Sequence, residues 1–208
     1  MRCRVYIDGF NLYFGALKNT PYKWVNLRKL CTTLLPLDYD IQYIKYFTAK
    51  ISGTANDPDK PTRQQMLFRA LSTLPSFKII LGSFQSHKVL RPLAVGVPGL
   101  PAMVVVEDTK EKGSDVNLAA HLVADGYRDL YDVAVLVTND SDLVTPIRMV
   151  REDLHKKVGI LNPQKKQSVE IKRYADYCLP VTPIALQASQ FPDKMTDRSG
   201  KFHKPTSW

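Results

Sequence analysis

Residues 133–142 read VAVLVTNDSD. The first six carry no charge and are rich in β-branched side chains, which favour strands. A strand that is apolar at every position, not at every second one, has both faces covered, as a parallel strand between two layers of helices does. Asn139, Asp140, Ser141 and Asp142 then cut the run off. A helix is expected over 141–151. Pro146 is tolerated only near its first turn, so the helix starts close to Asp142.

The pattern repeats on either side. Upstream, SDVNLAAHLVAD at 114–125 predicts an amphipathic helix with Val116, Ala119, Ala120 and Val123 on one face and Gly126 at its end. Before it come a strand at 103–107 (MVVVE) and a charged, glycine-containing connection at 110–113. Downstream, 157–161 reads as a strand, 168–174 as a short helix and 177–181 as a last strand. Nearer the start, strands are expected at 4–8 (RVYID), 41–49 and 77–84, and helices at 11–18, 25–35 and 62–73. Residues 87–101 hold three prolines and two glycines and predict an irregular excursion, long for a compact domain. Alternating strands and helices imply an α/β fold with a central, mainly parallel sheet. Residues 1–187 are expected to form one domain, and the basic residues 188–208 a loosely held tail.

In such sheets ligands bind beyond the carboxyl ends of the strands. Asp8 ends the first strand, Asp140 and Asp142 follow VAVLVT, and Asp115 opens the helix after MVVVE. Three segments thus send four carboxylates to one edge. Hard cations such as Mg²⁺ and Mn²⁺ take oxygen ligands. Clustered carboxylates repel and partly protonate unless a cation neutralises them. Each acid also has a plainer reading: Ser114 or Asp115, and Asp140 or Asp142, as helix caps, and Asp8-Gly9 as a turn. Caps alone do not explain why every acid follows a strand at the same edge. Asn11, three residues after Asp8, and Ser141, between two acids, are candidates for orienting water or phosphate, with capping as the alternative for each.

The chain has 208 residues and a formal net charge of +9, which draws polyanions. Cys3, Cys31 and Cys178 are scattered with no CxxC pair, which argues against a zinc site and suits a reducing cytoplasm. No apolar run is long enough to span a bilayer and the chain leads directly into a core strand, so a cytoplasmic protein with no membrane partner is expected.

The segments YIDGFNLY (6–13), KGSDVNLAAHLV (112–123) and VLVTNDSDLVTPI (135–147) together resemble the NYN domain, the LabA-like group related to PIN-domain nucleases. The likeness covers roughly residues 3 to 180 and includes the helix TRQQMLFRAL followed by a strand and Gly82. It implies a PIN-like three-layer α/β/α sandwich and a metal-dependent ribonuclease site using Mg²⁺ or Mn²⁺, with water as the nucleophile. Carried over by position, Asp8, Asp115, Asp140 and Asp142 match the family's acidic positions, and Asn11 matches its asparagine.

A nuclease must also hold a polyanion. Lys110 and Lys112 lie just before Asp115, and Lys50 and Arg63 near the second strand, as candidate phosphate contacts; a solvated loop is the alternative for each. Lys165, Lys166, Lys172 and Arg173 form a later basic cluster, and the tail adds Lys194, Arg198, Lys201, His203 and Lys204. Phe10, Tyr13 and Phe14 flank the first motif; core packing is the first expectation for Tyr13 and Phe14, and stacking on the bases of single-stranded RNA is the alternative. Three competing readings stay open: a non-catalytic RNA- or protein-binding module, a DNA-directed nuclease, and a phosphatase. A homo-oligomer or a protein partner is equally compatible with the sequence.

Overall fold

The apolar run divides as the two-residue period of a strand requires. In β5 (Val133–Val137) every residue is buried. Val133, Val135 and Val137 enter one hydrophobic core, while Ala134 and Leu136 enter the other. These details come from a computed structural model that describes residues 1–208.

Around β5 lies a seven-stranded sheet. Its strands are β1 (Arg2–Asp8), β2 (Asp40–Ala49), β3 (Phe77–Pro92), β4 (Met103–Lys112), β5, β6 (Lys157–Asn162) and β7 (Tyr177–Pro180). Their order is β4-β3-β2-β1-β5-β6-β7, and every pairing is parallel except β3 with β4. One face is covered by α1 (Gly9–Leu12) with its π-helical continuation Tyr13–Leu17, α2 (Leu27–Leu34) and α3 (Lys60–Ser72). The other carries α4 (Ser114–Tyr127), α5 (Val144–Arg148) and α6 (Val169–Tyr174). The fold is the expected α/β/α sandwich. From β1 the chain winds outward through β2 and β3, and α4 then carries it back to β5 on the other side of β1. The strand order therefore reverses between β1 and β5, where open α/β sheets bind ligands.

Several local expectations are corrected. Residues 87–101 are not one irregular excursion. Only Phe77–Gly82 of β3 pairs with β2, and Ser83–Pro92 continues as one arm of a hairpin with β4. The strand expected at 103–107 therefore runs on to Lys112, through the segment read as a charged connection, and is antiparallel. In α4 the buried residues are Ser114, Leu118, Leu122, Asp125 and Gly126, whereas Val116 is 73% exposed. The apolar face chosen from the sequence was rotated, because a buried aspartate was not counted as an inward residue.

Asp125 repays that burial. Its Oδ2 accepts hydrogen bonds from Lys45 Nζ (2.6 Å), Tyr6 Oη (2.7 Å) and Arg4 Nη1 (3.0 Å), tying α4 to β1 and β2. Burial alone would raise its pKa, but the bonds from Lys45 and Tyr6, together with Arg4, hold it below the ordinary value. The C-terminal segment is likewise not loose. After α7 (Pro183–Ala188), β8 (Lys194–Asp197) pairs with β9 (Gly200–His203). Phe191, Phe202 and Trp208 gather around the fully buried Trp24, whose indole N–H donates to Pro192 O at 2.9 Å. Arg69 of α3 holds Asp197 through two bonds of 2.9 and 2.8 Å. No helix is long and apolar enough to cross a membrane.

Candidate metal centre

Asp8 is the last residue of β1 and only 5% exposed. It caps α1: its Oδ1 accepts from the Asn11 N–H at 2.9 Å. Its Oδ2 accepts from the Thr138 hydroxyl at 3.1 Å, and that hydroxyl accepts in turn from the Asp140 N–H at 3.1 Å. Asp140 repeats the device, its Oδ1 accepting from the Asp142 N–H at 3.0 Å to start the 3₁₀ turn Ser141–Leu143. A short relay of hydrogen bonds thus joins the carboxyl ends of β1 and β5 at the reversal point.

Asp115 arrives by a different route. β4 runs against its neighbours, so its carboxyl end would lie at the wrong edge if it paired along the body of the sheet. Instead it pairs only with the part of β3 that has passed beyond β2, and its last residue, Lys112, returns to the level of Ser83. Gly113 (φ +98°) then turns the chain into α4, a left-handed conformation that suits glycine. Glu111 Oε1 accepts from the Ser114 hydroxyl (2.9 Å) and N–H (3.2 Å), which fixes the first turn. Asp115 sits in that turn, where the helix dipole favours a carboxylate.

One carboxylate oxygen from each of Asp8, Asp115 and Asp140 lies within 4.8 Å of the others. Burial, opposed by the Asn11 N–H and reinforced by Asp115 and Asp140, pushes the Asp8 pKa up to about 6. Asp115 is also raised, by desolvation first and then by Asp140, Glu111 and Asp142. A buried carboxyl beside two more acids is a group that a cation would relieve. Three oxygen donors at this spacing fit a divalent cation that fills its remaining positions with water.

Asp142 is exposed and outside the compact trio, though near enough to raise Asp115. Ser141 is exposed at the same rim. The capping reading holds for Asp140 but not for Ser114 or Asp115, since Gly113 occupies the cap position, and Asp8, read from the sequence as opening a turn, is a helix cap instead. Asn11 is no cap: its side-chain oxygen accepts from the Asn139 N–H at 3.1 Å and braces the loop that carries Asp140. Of the candidate phosphate contacts, Lys112 is exposed at the end of β4, and Lys110 bonds to Asp108 at 3.3 Å. Arg63 is paired with Asp57. Lys50 lines a cleft of about 1020 Å³ between α3 and the β8–β9 hairpin, which contains none of the three acids. None of these four cations is ion-paired to the trio. Two residues that organise the site differ in their sequence signal: Thr138 is a hydroxyl closing an apolar strand just before two acids, whereas nothing in the sequence marks Glu111.

The NYN domain family model matches residues 2–182. The chain is 30% identical, over 238 aligned positions, to 6-hydroxy-3-succinoylpyridine 3-monooxygenase HspA of Pseudomonas putida (strain DSM 28022 / S16), with all of this chain and 75% of that protein covered. A crystal structure of a protein of unknown function from Vibrio parahaemolyticus RIMD 2210633 matches with a TM-score of 0.53 at 16% identity, covering 88% of this chain and 93% of the other. That likeness speaks to the fold alone.

Proposed function

This chain belongs to the NYN domain family, and from that premise we propose that it is a Mg²⁺- or Mn²⁺-dependent nuclease that hydrolyses RNA phosphodiester bonds. The observation that carries the reading is the trio Asp8, Asp115 and Asp140, gathered at the strand-order reversal of the sheet. A divalent cation held there would supply Lewis-acid polarisation of the phosphate and neutralise charge that develops on it. The protein's own part is orientation. The caps at Asp8 and Asp140 fix two carboxylates before any cation binds, so little ordering is left to be done on loading. Asn11 holds the Asn139–Asp140 loop and keeps its amide N–H₂ for a substrate oxygen. At the exposed rim, Asp142 offers an acceptor to the attacking water and Ser141 a donor to a phosphate oxygen. Lys112, at the end of β4, adds positive charge to the approach.

The test is incubation of the pure protein with end-labelled single-stranded RNA, and with DNA of the same sequence, in Mn²⁺ or in EDTA. Cleavage of RNA in Mn²⁺ only, lost in Asp8→Asn with the circular dichroism spectrum unchanged, is expected. Full activity of Asp8→Asn, or equal cleavage in EDTA, defeats the proposal.

One observation favours a second reading, the likeness, over all of this chain and 75% of the other, to a protein named as a monooxygenase. Such a reaction places one atom of dioxygen in the substrate and reduces the other to water, using two electrons from a reductant. Dioxygen uptake with 6-hydroxy-3-succinoylpyridine and a reduced nicotinamide, in a preparation that cuts no RNA, would establish it.

A further inference from the structure

Beside the acidic trio lies an open cleft of about 550 Å³ whose lining includes Asn11, Asn139, Phe14, Lys165 and Lys166. Its floor is built, not incidental. Asn139, next in the chain to Asp140, grips the 163–168 loop with both ends of its amide: Nδ2 donates to Lys166 O (2.9 Å) and Oδ1 accepts from the Ser168 N–H (2.8 Å). The other wall is the π-helical turn Tyr13–Leu17. There Gly15 lets the loop seat directly on the helix, for a Cβ at that position would lie 2.8 Å from Pro163 O and 2.9 Å from Gln164 Nε2. Single π-turns of this kind often mark functional positions. This one holds the Phe14 ring 59% exposed at the rim of the cleft.

The charge of the rim is uncompensated. Lys165 and Lys166 are exposed, and Lys18 lies over the Phe14 ring with its ammonium 5.1 Å from the centroid. None of the three belongs to an ion pair, although most arginines of the chain do. An exposed aromatic face, free ammonium groups and amides, in one cleft that shares a hydrogen-bonded loop with the acids, match the parts of a single strand of nucleic acid: an unstacked base, its phosphates and its base edge.

We propose that this cleft is a subsite for single-stranded nucleic acid, in which a base next to the scissile phosphate stacks on Phe14 while Lys165 and Lys166 hold the flanking phosphates. The inference rests on the nuclease reading for its purpose but not for its test. Binding of a short fluorescein-labelled oligouridylate, of its deoxy counterpart and of an RNA duplex is measured by anisotropy in EDTA, where metal-dependent cleavage is off. Phe14→Leu, which keeps an apolar side chain but no ring, should weaken binding of the single strands about tenfold. Phe14→Tyr should bind within about twofold of the parent. Lys165→Ala with Lys166→Ala should lower the slope of log K against log salt by about 1.4. All these positions are exposed, so the variants keep the fold. Loss on RNA but not on DNA assigns the subsite to RNA, and equal loss on both assigns it to either strand. Single-strand binding that is unchanged in Phe14→Leu and in the lysine pair overturns the subsite, even if cleavage in Mn²⁺ persists. Absence of any single-strand binding overturns it too, and so does an equal loss on the duplex. Binding that depends on Phe14 with no cleavage in Mn²⁺ keeps the subsite and removes the nuclease reading.

Discussion

Replacing Asp8 with asparagine should make the metal-free protein more stable at neutral pH. The Asp8 carboxyl is nearly buried and has its pKa pushed from an ordinary 3.8 up to about 6, by burial first and then by Asp115 and Asp140. At about 1.4 kcal/mol per tenfold in proton affinity, holding it ionised in the fold at pH 7 costs about 3 kcal/mol. Asparagine has the same shape, and its oxygen can still accept the Asn11 N–H. The Thr138 hydroxyl loses an anionic acceptor, a loss of about 1 kcal/mol. The net gain is about 2 kcal/mol, or roughly 4–8 °C in melting temperature for a chain of this size. A carboxyl whose folded pKa lies above its unfolded one contributes stability below the unfolded value and loses it as pH rises through the folded one. In EDTA the parent should therefore lose stability between about pH 4 and 7, Asp8→Asn should lose less because only Asp115 keeps a raised pKa, and the two curves should cross near the acid end of that window. Mn²⁺ should reverse the order at pH 7, since about 2.7 kcal/mol is gained at a hundredfold excess over Kd by the form that binds it. Differential scanning fluorimetry across pH, with EDTA or Mn²⁺, reads all of this. An Asp8→Asn protein that melts below the parent in EDTA at pH 7 would refute the reasoning.

Four further outcomes follow from the geometry. Asp125→Ala leaves Lys45 and Arg4 largely buried without their shared acceptor, so it should cost about 3–5 kcal/mol in chemical denaturation, and adding Lys45→Met should recover part of the loss. Because the Asp125 pKa is held below its ordinary value, its contribution is present at neutral pH and lost as pH falls through the folded value; Asp125→Asn should lack that acid-side loss. Phe202→Ala should cost about 3–5 kcal/mol, measured by urea titration, if the terminal hairpin is part of the core, and almost nothing if it is a tail. Gly113→Ala forces a left-handed backbone on a residue with a Cβ; a loss of about 1–2 kcal/mol and a weaker Mn²⁺ affinity by calorimetry are expected, because Asp115 follows two residues later.

The fold was legible in the strands of the sheet centre, whose apolar and β-branched content marks them even where Arg4, Gln42 or Lys45 interrupts it. β1, β2, β5 and β6 all fall where the sequence places them, within one or two residues. It was not legible in the hairpin. Residues 85–92 and 108–112 bury little on either face, so nothing in their pattern extends the strands read at 77–84 and 103–107, and the prolines and glycines of 92–101 between the two arms look like a loop. The terminal hairpin was misread for a related reason. Its apolar content is a few large rings spaced for one neighbour, Trp24, more than 160 residues away in the chain, as the Trp24–Pro192 bond shows. Buried charge hid the inner face of α4, since Asp125 points inward only because three donors on other strands await it.

The candidate site was more legible than its geometry, and the hairpin explains why. Two of the three clustered acids obey the rule that ligands meet the carboxyl ends of parallel strands. Asp115 reaches the same edge only because β3 runs past β2 and antiparallel β4 comes back along it, a topology the sequence did not indicate. The metal reading of the other two and the plainer one set against it, a turn at Asp8 and a cap at Asp140, describe different lone pairs of the same carboxylates. An ionised carboxylate offers about four acceptor sites. At Asp8 the Asn11 N–H and the Thr138 hydroxyl take two, and at Asp140 the Asp142 N–H takes one, with the rest left for a ligand. A cap at a strand end is therefore a means of aiming a carboxylate. Asp115 has no such bond, and its aim depends on Gly113 and Glu111 alone. The hairpin root is accordingly the part of the centre whose disturbance should be felt most in metal affinity and least in global stability.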